Sequence, residues 1–253
     1  KVSSGRAAFR FFPAGFLFDV AGTSFFADHV DSLPLVMAFA NSVVARKMLE
    51  VLSPTLNFEV GQLARLPLIK PDGWEGQQEK VLECISLARE DWDGFERSWN
   101  FQSLPILMPQ SYRQRLSLRQ TEEEEARSAK RKRTRQLETE NNRLWIETYG
   151  LEGELAPDIP EEEITLASSD RSVDMAAFLS YAVGCMMGRY SLDKPGLILA
   201  DAGDTLEHYL AKVGKTRDQW TFAPDEDGIV PVLDGEWFGD DVVARVREFL
   251  RVT

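Results

Sequence analysis

Between Ser111 and Tyr149 the chain contains neither proline nor glycine. A stretch of that length without either breaker is expected to form one continuous helix, and at about 1.5 Å per residue it spans roughly 60 Å. Its apolar residues are sparse: Leu116 and Leu118, then Leu137, Leu144, Trp145 and Ile146. A helix so charged in its middle reads as a spacer, with a contact to a nucleic-acid backbone as the competing reading. Glu122 to Glu125 precedes Lys130-Arg131-Lys132-Arg133, and Glu123 with Arg127 makes an i,i+4 ion pair. The basic run has the composition of a polyanion patch, yet four successive helical residues point in four directions and do not make one face.

Upstream, Leu52 to Leu68 (LSPTLNFEVGQLARLPL) is a junction. Ser53-Pro54 ends an apolar helix, because a residue before proline is pushed out of the helical region. Asn57 is placed to cap a short helix carrying Val60, Leu63 and Leu66, and Pro67 stops it. The helix before the junction is expected over residues 31–52, capped by Asp31 or Ser32, with Pro34 in its first turn and Leu35, Val36, Phe39, Val43, Val44, Leu49 and Leu52 as its apolar stripe. Arg46 and Lys47 fall on its outer face.

Residues 1–28 read as strands and turns. Arg6, Ala8 and Arg10 alternate with Ala7, Phe9 and Phe11, the period of an extended chain. Pro13-Ala14-Gly15 is a turn, and Phe16-Leu17-Phe18 a second strand. A β-hairpin with Arg6 and Arg10 on one face either lies along a DNA backbone or is an ordinary sheet edge with two solvated arginines. Further on, Trp92, Phe95, Trp99 and Phe101 have the composition of a base-stacking platform, but Glu79, Glu83, Glu90, Asp91, Asp93 and Glu96 surround them. An anionic aromatic patch repels a polyanion, so a packed corner is the better expectation.

Past Gly150, a helix-capping glycine, the chain turns acidic. Residues 1–72 carry a net +1, 73–110 carry −4, 111–150 carry +3 and 151–253 carry −12. Phosphate affinity needs local Lys and Arg, so only the first 72 residues and the long helix remain eligible for nucleic acid. The last hundred residues read as mainly helical. Asp170 caps a helix with Met175, Phe178, Leu179, Ala182, Val183 and Met186; a short strand is expected at Leu197 to Leu199, a turn and strand in PDEDGIVPV, and a final helix capped by Asp240. Gly184 and Gly188, four apart, allow close backbone packing. Asp225-Glu226-Asp227-Gly228 is not a calcium loop: aligned on its glycine, Ala223 falls at the first ligand position and Asp234 where a bidentate Glu is needed.

Catalytic chemistry is not legible. His29 and His208 are isolated, and no Walker loop or dinucleotide fingerprint occurs. Cys84 and Cys185 make neither a disulfide framework nor a CxxC metal site, and a reducing cytoplasm is the plain expectation. No signal peptide is present, and the apolar run Ala176 to Gly188 falls short of the ~20 residues that cross a bilayer. The chain starts at Lys1 and ends in a helical pattern, which reads as a portion of something longer.

Four segments resemble one family: Arg10 to Phe25 (RFFPAGFLFDVAGTSF), Pro54 to Pro67 (PTLNFEVGQLARLP), Glu90 to Phe101 (EDWDGFERSWNF) and Phe178 to Asp193 (FLSYAVGCMMGRYSLD). Singly each is weak; in this order they are similar to PglX-type adenine DNA methyltransferases of bacteriophage-exclusion (BREX) systems. A looser form of the junction closes the target-recognition domains of type I restriction specificity subunits. The resemblance implies a C-terminal portion of a site-specific adenine methyltransferase, with S-adenosylmethionine and the (N/D/S)-P-P-(Y/F/W) loop held by a catalytic domain upstream. Ser53-Pro54-Thr55-Leu56 lacks that loop's second proline and aromatic, so no catalytic residue carries over.

The expectation is therefore an α+β chain. Residues 1–72 would end a target-recognition domain built from a β-hairpin and helices, 73–150 a helical spacer, and 151–253 an acidic, mainly helical region. Double-stranded DNA is the implied partner, with the upstream catalytic domain and other phage-defence proteins, and with neither metal nor membrane. Arg6, Arg10, Arg46 and Lys47 are the candidate DNA contacts. The alternative is a protein-binding scaffold of a defence complex that does not read DNA.

Overall fold

The computed structural model describes residues 7–19, 22–53, 59–107, 115–235 and 237–253. Among these residues every regular element is helical: α1 (Leu33–Ala40), α2 (Val43–Leu52), α3 (Val60–Leu63), α4 (Gln78–Asp93), α5 (Leu116–Tyr149), α6 (Arg171–Met186), α7 (Leu206–Val213) and α8 (Val242–Val252), with short 3-10 turns between. Two compact units are present. The first comprises Lys1–Ala88 and Lys130–Leu166, the second Arg89–Ala129 and Ala167–Thr253, so α4 and α5 supply residues to both.

The α+β expectation is corrected at three places. The amino-terminal segment is extended and turns at Ala14-Gly15, with Gly15 at φ +101, but no strand pairs with it among the described residues. The alternation is real: Ala7, Phe9 and Phe11 are half-buried, while Ala8 and Arg10 are exposed. What is missing is a ladder. The Phe9 N–H donates to Asn41 Oδ1 (2.9 Å) and its carbonyl accepts from Asn41 Nδ2 (3.2 Å), so a side chain takes the bonds a strand would take. At 197–199, the Ile198 and Leu199 N–H groups bond the Arg189 and Gly188 carbonyls just past α6 (2.9 and 3.1 Å). At 229, the N–H goes to the Asp225 and Asp227 carboxylates (3.1 and 2.9 Å).

The first unit's core is α1 and α2 against the carboxyl-terminal part of α5. Ala38, Phe39, Val43, Val44 and Ala45 meet Trp74, Trp145 and Ile146, and Trp145 is fully buried. The Phe39 and Trp145 rings lie 4.9 Å apart. The single helix expected over 31–52 breaks at Asn41-Ser42. Ser42 starts α2, its Oγ accepting from the Ala45 N–H at 3.1 Å, and the Val43 N–H donates to the buried Asn142 of α5 at 2.8 Å. Ser32 precedes α1 without a side-chain cap.

The second unit's core packs α6 on α8. Phe178, Tyr181, Ala182, Cys185 and Met186 meet Phe249, with Phe101, Leu104, Tyr190 and Phe222 closing the cluster. Fully burying a side chain such as Phe249 stabilises by about 2–3 kcal/mol. Asp170 caps α6 as expected, accepting from the Ser172 and Val173 N–H groups; α8 is capped by Asp241, one residue past the expected Asp240. Gly188 adopts φ +71 at the end of α6, the left-handed geometry that lets the chain turn back there.

Candidate nucleic-acid interface

The candidate cations lie in the first unit. Arg46 and Lys47 sit on α2, where Ser42 fixes the helix start, and Arg10 on the extended segment that Asn41 anchors. Arg6 and Asn57 lie outside the described residues. The structure brings Arg10 and Arg46 onto one feature, the acidic connector over residues 159–166. Arg46 Nη1 meets Glu163 Oε2 at 3.1 Å, both side chains about a quarter exposed. Arg10 Nη2 donates to Thr165 Oγ1 at 3.4 Å. Glu138 of α5 feels both: burial pushes its carboxyl above the ordinary range, Glu163 adds to the push, and Arg10 and Arg46 oppose it. Lys47 turns aside and pairs with Glu50 at 2.7 Å, with both side chains more than half exposed.

The basic run of α5 serves the same connector. Arg131 donates to the carbonyls of Glu161 (2.9 Å), Ile164 (3.0 Å) and Leu166, and Arg135 to that of Ile159 (2.7 Å). Arg133 instead makes a two-pronged pair with Glu83 (2.7 and 2.8 Å), which lowers the Glu83 pKa through that hydrogen bond. The successive residues do point in different directions, and the arginines among them find separate internal acceptors. Among the described members of the candidate set, Arg10 and Lys47 are exposed, while Arg46 is half-buried. Each of these cations has an acid near it: Glu163 pairs with Arg46 on the connector that Arg10 reaches, and Glu50 pairs with Lys47, so a phosphate meets a mixed field at either place.

Of the aromatic group, Phe101 is core, but Trp99 is 96% and Trp92 48% exposed, so a packed corner describes only part of it. Arg97 covers the Trp92 ring at 4.9 Å. In the second unit a cleft of about 710 Å³ opens beside α6, lined by Glu96, Ser180, Met187, Arg189, Asp201 and Asp204 among others. Burial raises the Glu96 carboxyl pKa, and Ser180 Oγ donates to it at 3.1 Å. His208 Nδ1 accepts from the Thr205 N–H at 3.0 Å and is spent on starting α7. Among the described residues no group of three His, Cys, Asp or Glu is arranged to hold a metal ion, and no helix is long and apolar enough to cross a membrane.

Sequence reasoning missed Asn141 and Asn142. Asn141 Oδ1 accepts from Trp145 Nε1 (3.0 Å) and its Nδ2 donates to the Ala38 carbonyl (2.9 Å); Asn142 holds Val43 and the Pro157 carbonyl (3.0 Å). The signal was available, since two adjacent asparagines inside a helix are locally unfavourable and need a tertiary reason.

A scan against protein-family models finds no match. The chain is homologous, over its whole length, to adenine-specific methyltransferases. It is 36% identical over 257 residues to the adenine-specific methyltransferase PglX of Lacticaseibacillus casei (strain Zhang), covering 100% of this chain and 20% of that protein. It is 32% identical over 272 residues to the adenine-specific methyltransferase BrxX of Escherichia coli O9:H4 (strain HS), covering 99% of this chain and 21% of that protein. The chain thus spans about a fifth of the length of the relatives it matches.

Proposed function

We propose that this chain is the DNA target-recognition and C-terminal region of a site-specific adenine DNA methyltransferase of a bacterial anti-phage defence system. The observation that carries the reading is the homology, over essentially the whole chain, to two adenine-specific methyltransferases. Methyl transfer from S-adenosylmethionine falls to a catalytic domain elsewhere in the polypeptide. No S-adenosylmethionine site is assigned to the cleft of the second unit, whose lining includes the Glu96, Asp201 and Asp204 carboxylates and the Arg189 guanidinium. No catalytic step is assigned to these residues.

A base must leave the duplex before its amino group is methylated, at a cost of a few kcal/mol, and a domain gripping the flanking duplex supplies that energy. Phosphate contacts set the register and base-edge contacts choose the site. Arg10, Arg46 and Lys47, with Arg6, are the proposed contacts, and among the described residues of that set Arg10 and Lys47 are exposed. A second reading, the protein-binding scaffold, is favoured by one observation: Arg131, Arg133 and Arg135 are engaged by internal acceptors.

The test is Arg10→Ala in the full-length enzyme. Loss of one phosphate contact weakens binding on all sequences and lowers the slope of log K against log salt by about 1, with S-adenosylmethionine binding intact. Thr165→Ala removes one of Arg10's internal partners and keeps its charge, so it leaves the slope alone. An unchanged slope in Arg10→Ala removes that residue from the interface.

A further inference from the structure

Past Phe11 the amino-terminal segment leaves several large apolar residues exposed. Phe12 is 51%, Phe16 47%, Leu17 99%, Phe18 44% and Phe26 75% exposed. They are not scattered. Phe12 meets Phe16 and Phe18 edge-on at 5.4 and 5.5 Å, and Phe18 meets Phe26 at 5.8 Å, so the rings form one continuous surface in the first unit. Apolar faces of this kind are uncommon on proteins that meet only water, and they mark a place where something docks.

The chemistry around the patch narrows the occupant. Between Phe11 and Ala27 the only charged residue is Asp19. An apolar wedge driven between base pairs is held in place by flanking Arg and Lys; here Arg10 flanks one end only, while Asp19 lies within the stretch and Asp28 and Asp31 follow it. The occupant is therefore protein and apolar. The relatives carry about four fifths of their length outside the matched region. A surface tethered in the same polypeptide acts at a high effective concentration and outcompetes a second copy free in solution.

We propose that the surface formed by Phe12, Phe16, Leu17, Phe18 and Phe26 is the docking face for an apolar surface of the same methyltransferase polypeptide lying outside these 253 residues. This rests on the reading that the chain is part of such a methyltransferase, though not on its contacting DNA. The patch then fixes the extended segment, and with it Arg10, against the body that does the chemistry.

A photo-activatable benzophenone amino acid in place of Leu17, in the full-length enzyme without DNA or methyl donor, tests it. Mass spectrometry should locate cross-links within one polypeptide, at residues outside the 253. Leu17→Asp combined with the same probe in place of Phe26 should lose most of that cross-link, because a charge is placed in a dry contact. Cross-links between two copies, cross-links to a duplex once one is added, or none at all overturn the proposal. Because the readout uses neither DNA binding nor methyl transfer, a failure of the DNA-recognition reading leaves it unaffected.

Discussion

One carboxamide, that of Asn41, holds both backbone polar groups of Phe9, the N–H at 2.9 Å and the carbonyl at 3.2 Å. The same Nδ2 also reaches the Met37 carbonyl at 3.2 Å, so the residue that ends α1 also pins the extended segment to it. Asn41→Ala should free residues 7–11 from α1 while leaving the core of α1, α2 and α5 in place. Asn41 is exposed, so the global cost is about 1 kcal/mol. Hydrogen exchange reads the local effect: the Phe9 amide loses its protection, and Asn41→Asp, which keeps the acceptor, retains part of it.

Arg131 is the clasp of the connector. Its guanidinium meets the carbonyls of Glu161, Ile164 and Leu166, and the apolar side chains beside them, Ile159, Ile164 and Leu166, form a small buried cluster with Leu87. Arg131→Met should cost roughly 2–3 kcal/mol in urea unfolding, because the carbonyls of a half-buried turn lose a charged donor. Arg131→Lys should recover little, since a point-like ammonium does not span three acceptors. Neither change should alter the salt slope of DNA binding by the full-length enzyme. A slope lowered by about 1 in either variant identifies Arg131 as a phosphate contact instead.

The long helix was legible because neither proline nor glycine occurs in residues 111–149, and α5 runs Leu116–Tyr149 within that stretch, whose first four residues lie outside the described ones. The α6 cap at Asp170 was equally plain, since its carboxylate is local to the N–H groups it serves. The hairpin was not. Period-two alternation reports an extended chain with two different faces, and says nothing about what bonds the backbone. Here the partner is a side chain more than thirty positions away. The candidate site suffers the same loss. Arg46 and Arg131 look alike in sequence to any surface arginine, and what distinguishes them is a connector brought in from residues 159–166.

Gly184 lies in α6 under the ring of Tyr190, and a Cβ there would come within 2.6 Å of that ring. Tyr190 is 1% exposed, stacked on Tyr181 and edge-on to Phe101 at 5.4 Å, so it has nowhere to move. Gly184→Ala gains helix propensity of up to about 1 kcal/mol and still loses overall, because overpacking a tight core costs about 1–3 kcal/mol. A lowered urea midpoint with a changed near-ultraviolet tyrosine signal is expected. A raised midpoint would mean that the ring has room that the structure does not show.

Acid groups in the two units act on stability with opposite signs. Asp193 is 2% exposed at its side chain; burial opposes its ionisation, but Lys215 at 2.7 Å and the Thr221 hydroxyl and N–H at 2.6 and 2.8 Å win, and its pKa lies below the ordinary value. The stability it contributes is present above the ordinary value of 3.8 and is lost as pH falls through the depressed one. Glu138 goes the other way. Burial holds its pKa above the ordinary 4.5, so over the window between the two values the native state binds more protons than the unfolded chain. Its stabilising contribution is present in acid and fades as pH rises through that window. Glu138→Gln fixes the neutral form. The urea midpoint of the variant should therefore decline less between pH 4.5 and 7 than that of the parent, with the acid-side loss due to Asp193 unchanged. Asp193→Asn should flatten the acid limb instead. Parallel pH profiles for Glu138→Gln and the parent would show that Arg10 and Arg46 outweigh the burial of Glu138.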